Sequence, residues 1–190
     1  MVSSSAKSFL ITVFDRRGNM ESIRILLVSD NHSFVSNELD PYISWADEIW
    51  HAGDIGDLES LSPFLSSGKK FRAVYGNIDT ADIRFAYPSE ISFEIGGIHV
   101  FMTHIGGYPR KYAPNIARKL QALKPDLFIC GHSHILKVLP DPKFSLIHMN
   151  PGAYGHHGFH KIRTVLKFEI SGGKIEAVEA VELGLRGTVK

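Results

Sequence analysis

The sequence predicts an α/β fold made of two packed sheets flanked by helices. The apolar run IRILLV at 23–28 is rich in β-branched residues, as expected of a strand that is covered on both faces. Segments typical of strands and helices then alternate as far as residue 130. From residue 135 onward, strands follow one another with turns between them and no helices. Alternation followed by consecutive strands indicates two packed mixed sheets with helices outside.

The alternating part of the chain contains six predicted strands and three predicted helices. We expect strands at 23–28, 48–51, 71–75, 91–95, 98–103 and 127–130, and helices within 34–46, 57–66 and 113–123. Pro41 makes the first helix irregular, the second starts near Asp57, and Pro125 ends the third. Gly96 and Gly97 join the fourth and fifth strands as a hairpin.

The last third of the chain is predicted to be all strand and turn. Four strands are expected near 135–139, 144–149, 162–170 and 174–182. Gly172 and Gly173 close the final hairpin. A chain of 190 residues is most simply one domain with a substantial core, and no repeat or low-complexity linker divides it. We therefore expect a single domain at 23–190.

Residues 1–22 differ from the rest and are expected to be an N-terminal extension, disordered or non-native. The run FLITVF at 9–14 is shorter than the apolar region of a signal peptide, and no small-residue cleavage site follows it. Export is therefore not expected. The alternative for 9–14 is an additional edge strand.

Composition excludes several classes of function. Hydrophobic residues make up 44% of the chain and charged residues 22%, as in ordinary globular proteins. The net charge of +1 gives no electrostatic reason to expect nucleic acid or an anionic membrane as the main partner. No apolar stretch approaches the roughly 18 residues of a membrane span. The single cysteine, Cys130, is expected to be buried and fits a reducing, cytoplasmic setting.

Polar residues follow five of the predicted strands at the point where each strand ends. They form the motifs Asp30-Asn31-His32, Gly53-Asp54, Gly76-Asn77-Ile78-Asp79, Thr103-His104 and Gly131-His132-Ser133-His134. The proposed ligands follow one another at intervals of 23 to 28 residues, about one strand and its return. Because open α/β sheets bind ligands outside the carboxyl ends of their strands, we expect these side chains to converge.

The converging side chains offer more ligands than one tetrahedral zinc ion takes. They supply four imidazoles, two carboxylates and one amide carbonyl, from Asp30, His32, Asp54, Asn77, His104, His132 and His134. Mixed nitrogen and oxygen donors in this number suit two divalent ions such as Mn²⁺, Fe²⁺ or Zn²⁺. A carboxylate normally bridges such a pair at about 3.5–4 Å, and a hydroxide between the ions is a nucleophile at neutral pH. The same ions offset charge on phosphate oxygens during in-line attack.

This ordered motif set, which spans about 30–152, resembles the calcineurin-like metallophosphoesterase superfamily, and in particular its small single-domain bacterial and archaeal phosphodiesterases. The resemblance implies a four-layer α/β/β/α sandwich with a two-metal site at one edge. It places one metal on Asp30, His32, Asp54 and His134, and the second on Asp54, Asn77, His104 and His132. Asp54 would bridge the metals, and the Asn77 side chain would lie close to the phosphate. We expect Mn²⁺, with Fe, Zn and Ni as alternatives.

The chain departs from the superfamily pattern at the third motif. Many members have a histidine after GN, which can protonate the leaving group, whereas this chain has Ile78. General acid catalysis is worth about 10²–10⁴-fold, so its absence favours substrates with good leaving groups. Asp79 keeps the carboxylate of the motif and is expected to act behind the ligands or structurally. Asn150-Pro151-Gly152-Ala153 resembles the turn that closes the site in the small members.

A histidine-rich loop follows that turn, with the sequence YGHHGFH at 154–160. Its position near the expected metals would let His156 or His157 contact the phosphate or donate the missing proton. The alternative is a solvated surface loop. His51, which precedes the Gly53-Asp54 motif, is expected to pack or to support the ligands rather than to bind metal.

These observations predict a metal-dependent hydrolase of phosphoric ester bonds, with a phosphodiester as the preferred substrate. The reaction would be in-line attack of a metal-bridging hydroxide, with Asp54 and Asn77 as catalytic residues. The expected partner is a small phosphate ester, and a homo-oligomer is left open. The alternatives are a phosphomonoesterase and a non-catalytic protein-binding module, as in the retromer coat subunit that has this fold.

Overall fold

The computed structural model describes residues 22–187. In chain order its strands are β1 (Ile23–Val28), β2 (Glu48–His51), β3 (Lys70–Ala73), β4 (Glu90–Ile95), β5 (Ile98–Thr103), β6 (Leu127–Ile129), β7 (Lys137–Asp141), β8 (Leu146–Asn150), β9 (Ile162–Ser171) and β10 (Lys174–Leu185). Its helices are α1 (Asp40–Trp45), α2 (Ser62–Ser66), α3 (Ala81–Ala86) and α4 (Pro114–Leu123). The expectations for 1–22, including the edge strand at 9–14, fall outside the described residues except at Ser22.

The strands form two mixed five-stranded sheets. The first has the order β10-β9-β1-β2-β3, and the second has the order β4-β5-β6-β8-β7. In the first sheet β1, β2 and β3 are parallel, whereas β9 and β10 run antiparallel to their neighbours. In the second sheet β5, β6 and β8 are parallel, with β4 and β7 antiparallel at the edges. In each sheet, the carboxyl ends of three parallel strands therefore lie at the same edge of the sheet.

The two sheets pack face to face, and helices cover their outer faces. Alternation along β1 shows this, because Ile25 and Leu27 enter the core between the sheets while Leu26 and Val28 face the helices of the first sheet. All four side chains are fully buried. The sequence therefore reads as a continuous apolar run, since both faces of the strand are covered.

The outer layers are built from a few buried side chains on each helix. Ile43 of α1, Phe64 of α2 and Ile83 of α3 join the cluster on the outside of the first sheet. Ile116 and Leu120 of α4 pack on the outside of the second sheet. The four-layer α/β/β/α arrangement expected from the sequence is confirmed.

The structure differs from the sequence expectations at several element ends. The first two helical stretches each begin with a 3₁₀ turn, at Asn37–Leu39 and Glu59–Leu61. β3 ends at Ala73 rather than at residue 75, because Tyr75 already donates its backbone N–H to Pro88 in a turning segment. Helix α3 was not expected from the sequence. It has six residues of which only Ile83 is buried, so it shows no apolar periodicity.

The parallel strands bring all five polar motifs to one edge of the molecule. The segments after β1 and β2 stay paired beyond the strands, since Asp30 and His32 donate their backbone N–H groups to the carbonyls of Gly53 and Asp54 at 3.0 Å.

No helix in the described part of the chain is long and apolar enough to cross a membrane.

Candidate metal centre

Six of the seven side chains expected from the sequence form two overlapping groups of potential ligand atoms. One group contains Asp30, His32, Asp54 and His134, and the other contains Asp54, His104 and His132. Within each group the ligand atoms all lie within 4.8 Å of one another. Asp54 belongs to both groups. The clustering therefore has the form of two adjacent sites that share one carboxylate.

The backbone at this centre is held in an uncommon conformation. Five of the clustered residues have a positive φ angle, namely Asp30 at 56°, His32 at 50°, Asp54 at 54°, His132 at 65° and His134 at 55°. The left-handed region costs a residue with a side chain roughly 1–2 kcal/mol, although aspartate and histidine enter it more readily than most. Such conformations persist where the surroundings enforce them, and they concentrate at functional sites.

Glycine is required where the chain passes the clustered side chains. Gly53 has a φ of +93°, and a Cβ atom there would lie 2.6 Å from Nδ1 of His104. A Cβ atom on Gly76 would lie 2.1 Å from Oδ1 of Asp54. Both distances are far shorter than a van der Waals contact. The glycine before each of these motifs is therefore needed for close approach, and at Gly53 for conformation as well.

The Asp54 carboxylate lies between imidazoles from two strand ends. Its Oδ1 atom is 3.2 Å from Nε2 of His104, and its Oδ2 atom is 3.6 Å from Nε2 of His32. On the other side of the cluster, Oδ1 of Asp30 is 3.2 Å from Nε2 of His134. Asp30 and Asp54 are almost fully buried. The centre therefore concentrates two carboxylates in a site with little access to solvent.

Two buried ring nitrogens point into this centre without a hydrogen-bond partner. Nε2 of His32 and Nε2 of His104 have none among residues 22–187. The other nitrogen of His104, Nδ1, lies 2.8 Å from the carbonyl of Ala52, which can only accept. In the neutral ring Nδ1 therefore carries the proton and Nε2 carries a lone pair. A divalent cation would satisfy both nitrogens, so the residues present fit a metal.

Burial and nearby charges have opposite effects on the pKa values of the ionisable groups in this centre. Burial raises the pKa of Asp54, but the facing imidazole of His104 outweighs this effect and holds the pKa below its usual value. Burial lowers the pKa of His32 despite the nearby carboxylates. Burial also lowers the pKa of His104, but Asp54 and Asp30 reverse the effect and leave the pKa raised. At neutral pH Asp54 is thus an anion, and the His32 ring is neutral with a free lone pair.

Two buried side chains hold the ligand-bearing segments in place without entering the cluster. The ring of His51 bonds to Oδ1 of Asn31 through Nε2 at 2.9 Å and accepts from the backbone N–H of Gly53 through Nδ1 at 3.2 Å. The Asp79 carboxylate accepts from the backbone N–H groups of Gly56 and Gly76, both at 2.6 Å. His51 therefore ties the first motif to the second, and Asp79 ties the second to the third.

Asn77 and Ile78 lie at the mouth of the centre. Both side chains are exposed, and the backbone N–H of Ile78 donates to Oδ1 of Asp54 at 3.1 Å. Nη2 of Arg84 donates to the carbonyl of Asn77 at 2.7 Å and so braces this turn. Asn77, His104 and the half-exposed Ile105 line a cavity of about 430 Å³.

The Asn150 turn is joined by hydrogen bonds to the segment that carries two of the clustered histidines. The Asn150 amide donates to the carbonyl of Gly131 at 2.8 Å and to the hydroxyl of Ser133 at 3.1 Å. Its oxygen accepts from the backbone N–H of Gly152 at 2.9 Å. This one side chain therefore fixes the segment that carries His132 and His134.

The histidine-rich loop returns to the centre, but its three histidines differ in position. The His157 ring lies 5.5 Å from the ring of His32, centroid to centroid. His156 instead packs on Phe34 and bonds to the carbonyl of Arg186, away from the clustered atoms. His160, which sequence reasoning did not single out, has its Nδ1 atom 3.3 Å from Nδ1 of His134. No spacing rule distinguishes these three residues, since only the path of the loop separates them.

Comparisons with known proteins agree with the fold. A sequence profile of the calcineurin-like phosphoesterase superfamily domain matches residues 23–173. A comparison with curated protein sequences returns no match. Among solved structures, the chain is similar to a conserved protein from Streptococcus pneumoniae described as a predicted phosphoesterase, with 21% identity, a TM-score of 0.64, and coverage of 86% of this chain and 91% of that one.

Two further structural neighbours are a Vps29 and a phosphodiesterase. Vps29 from Entamoeba histolytica, solved as a complex with Zn²⁺, is 16% identical, with a TM-score of 0.62 and coverage of 84% and 99% of the two chains. An archaeal phosphodiesterase is 19% identical, with a TM-score of 0.61 and coverage of 85% and 100%. At these identities the neighbours show the shared fold alone.

Proposed function

Because the chain belongs to the calcineurin-like phosphoesterase superfamily, we propose that it is a phosphodiesterase that works with two divalent metal ions. The observation that carries this proposal is the pair of ligand groups that overlap at Asp54. One ion would be held by Asp30, His32, Asp54 and His134, and the other by Asp54, Asn77, His104 and His132. We expect Mn²⁺ at both positions, with Fe, Zn and Ni as alternatives.

The ions would supply the nucleophile and the charge compensation that phosphate esters need. Bound divalent ions lower the pKa of water and offset charge on phosphate oxygens. The chain's own contribution is to hold the ligands in one arrangement, with Asp54 shared between the sites. Asn77 is exposed beside His104 at the cavity, and its amide N–H would donate to a phosphate oxygen.

The residues at the mouth favour a diester over a monoester. Ile78 and Ile105 are 42% and 49% exposed, and neither can transfer a proton. Aryl or similarly activated alcohols leave without protonation, so they need no general acid. The cavity of about 430 Å³ beside His104 leaves room for a second ester group. A small phosphodiester with a good leaving group is therefore the proposed substrate class.

The alternative is that the chain is a non-catalytic binding module, and the structural similarity to Vps29 is the observation that favours it. Loss of metal ligands would favour it. Here all seven ligand residues are present, and two of their buried nitrogens face the centre without a partner among the described residues. Maintaining these groups and a strained backbone would serve no purpose in a purely structural surface. The enzyme is therefore favoured over the module.

Hydrolysis of model substrates tests the proposal. The purified chain should hydrolyse bis-p-nitrophenyl phosphate when Mn²⁺ is added, and a chelator should abolish the reaction. The rate with the diester should exceed the rate with p-nitrophenyl phosphate at equal concentration, because the cavity beside His104 has room for the second ester group. Both substrates release p-nitrophenolate, which leaves without protonation, so the comparison does not depend on a general acid. A clear preference for the monoester would overturn the diesterase assignment. No hydrolysis of either ester with Mn²⁺, Fe²⁺, Zn²⁺ or Ni²⁺ would favour the binding module.

A further inference from the structure

We infer that His160 is a positioning residue for the metal centre, which fixes the tautomer of His134 by accepting a hydrogen bond from its Nδ1–H group. This inference rests on the proposed metal binding, since His134 is one of the proposed ligands. His160 itself belongs to neither group of clustered ligand atoms. It would therefore act on the metal only through His134.

The two rings are joined edge to face by a direct nitrogen-to-nitrogen contact. Nδ1 of His134 lies 3.3 Å from Nδ1 of His160, and the ring centroids are 5.2 Å apart with planes at 66°. The other nitrogen of His134, Nε2, faces Asp30 Oδ1 at 3.2 Å inside the cluster. The His134 ring thus has one nitrogen toward the ligand cluster and one toward His160.

The backbone carbonyl of Gly155 determines which atom donates in each of the two hydrogen bonds of His160. Nε2 of His160 lies 3.1 Å from the backbone carbonyl of Gly155, which can only accept, so Nε2 carries a proton. The Nδ1 atom of a neutral His160 ring is then an acceptor. Nδ1 of His134 must be the donor, which leaves the Nε2 atom of His134 unprotonated. A metal ion needs this lone pair.

The loop that carries His160 is built to stay in contact with His134. Gly158 passes so close that a Cβ atom there would lie 2.1 Å from Nδ1 of His134. On the far side, Arg186 donates from Nε to the carbonyl of His160 at 3.1 Å and from Nη1 to the carbonyl of His156 at 3.1 Å. The position of His160 is therefore fixed from two directions. A histidine ligand is commonly oriented in this way by a partner on its other nitrogen, and loss of such a partner typically weakens metal binding or activity by 10–100-fold.

Two amide variants separate the proposed role from a structural one. In His160→Asn, the side-chain oxygen of the introduced amide can take the place of Nδ1 and accept from His134. The longer side chain in His160→Gln reaches instead toward the place of Nε2 and the carbonyl of Gly155. If His160 acts through its Nδ1 atom, the asparagine variant keeps the function and the glutamine variant loses it. If its bond to the loop is what matters, the order is reversed.

The measurement is the affinity for Mn²⁺ by isothermal titration calorimetry, with thermal unfolding in the absence of metal as the check on folding. We expect His160→Gln to bind Mn²⁺ about 10–100-fold more weakly and His160→Asn to stay within about threefold of the unaltered chain. A third variant, His160→Phe, keeps a ring but no acceptor and should behave like the glutamine variant.

The possible results of this experiment distinguish failure of the positioning role from failure of the proposed function. Equal affinities in all four proteins, equal weakening in the two amide variants, or weaker binding in His160→Asn alone would each overturn the positioning role while leaving the metal centre intact. Failure of the unaltered chain to bind Mn²⁺ would overturn the proposed function and this inference with it.

Discussion

At the scale of single residues, the centre combines tight packing with an unusual backbone. Asp54 is the residue on which both proposed sites depend, and its surroundings leave no spare volume. The place of a Cβ atom on Gly76 is 2.1 Å from its carboxylate oxygen and 2.3 Å from its backbone nitrogen. The geometry of the Asp54 carboxylate is therefore sensitive to one methyl group on Gly76.

We expect Gly76→Ala to weaken Mn²⁺ binding by at least about tenfold and to lower the free energy of unfolding by about 1–3 kcal/mol, because the added methyl group must displace Asp54. Calorimetric titration and urea unfolding measure the two effects. Gly68→Ala is the control, since nothing lies within 4 Å of its Cβ position and its φ of +70° adds only backbone strain. Unchanged Mn²⁺ affinity in Gly76→Ala would show that Asp54 is not a shared ligand.

The identity of residue 78 is expected to set the preference between diester and monoester. The Ile78 side chain is exposed beside Asn77, so a polar replacement meets no packed neighbour. Ile78→His should raise the rate with an alkyl phosphomonoester such as glycerol 2-phosphate relative to bis-p-nitrophenyl phosphate by about 10²-fold, because an imidazole can protonate the departing alkyl oxygen, whereas p-nitrophenolate leaves without protonation. Ile78→Gln is the matched control without a titratable group. Equal ratios of the two rates in both variants would rule out a missing proton donor as the cause of the preference.

The positions of candidate site residues could be predicted from the sequence where a motif stands at a strand end. This holds for Asp30, Asp54 and His104, which the structure places at the converging edge. It does not hold for His160, whose contact with His134 depends on how a loop folds back over 26 positions. The left-handed backbone conformation of five clustered residues could not be predicted from the sequence either. Unlike glycine, an aspartate or histidine in the sequence does not indicate a positive φ angle.

At the scale of elements, the strands and the helical stretches of α1, α2 and α4 were predictable, whereas the short helix α3 was not. β1 and β2 have the bounds that their apolar runs indicated. Helix α3 was missed because one buried residue in six gives no period, and its place is set by Arg84, which bonds to the carbonyls of Asp79 and Asn77. Tertiary contacts decide such an element, and sequence periodicity carries no record of them.

Strand β8 carries a buried histidine that the proposed mechanism does not use. His148 is fully buried, and neither of its ring nitrogens has a hydrogen-bond partner within 22–187. It packs against Tyr112 and Phe128, while Lys137 and Asp141 supply the nearby charges. Burial, reinforced by Lys137, lowers the pKa of His148 to about 4.

We expect this histidine to make the folded state less stable in acid. Its pKa is about 4 when folded and near 6.5 when unfolded, so the unfolded chain binds the extra proton between these values. Its stabilising contribution is complete above pH 6.5 and is lost as the pH falls toward 4, by about 2 kcal/mol between pH 7 and pH 5. Urea unfolding at both pH values measures it. His148→Phe should lose less stability than the unaltered chain over this range, and parallel losses in both proteins would contradict the account.

At the scale of the whole molecule, the two sheets are what bring the motifs together. The first sheet contributes Asp30, His32, Asp54 and Asn77, and the second contributes His104, His132 and His134. The core between the sheets, with Trp50 and Phe168 among its largest buried side chains, fixes their relative position. The four-layer fold could be predicted because strand order along the chain and the motif set agree. The details of the cavity beside His104 could not, since it is lined by segments far apart in sequence.

The number of Mn²⁺ ions bound per chain tests the central claim most directly. Calorimetric titration of the metal-free protein, checked by metal analysis after dialysis, should give two ions per chain. Asp54→Asn should weaken the binding of both ions, because the two proposed sites share this carboxylate. One ion or none in the unaltered chain, or two ions bound with unchanged affinity by Asp54→Asn, would contradict a two-metal centre built around Asp54.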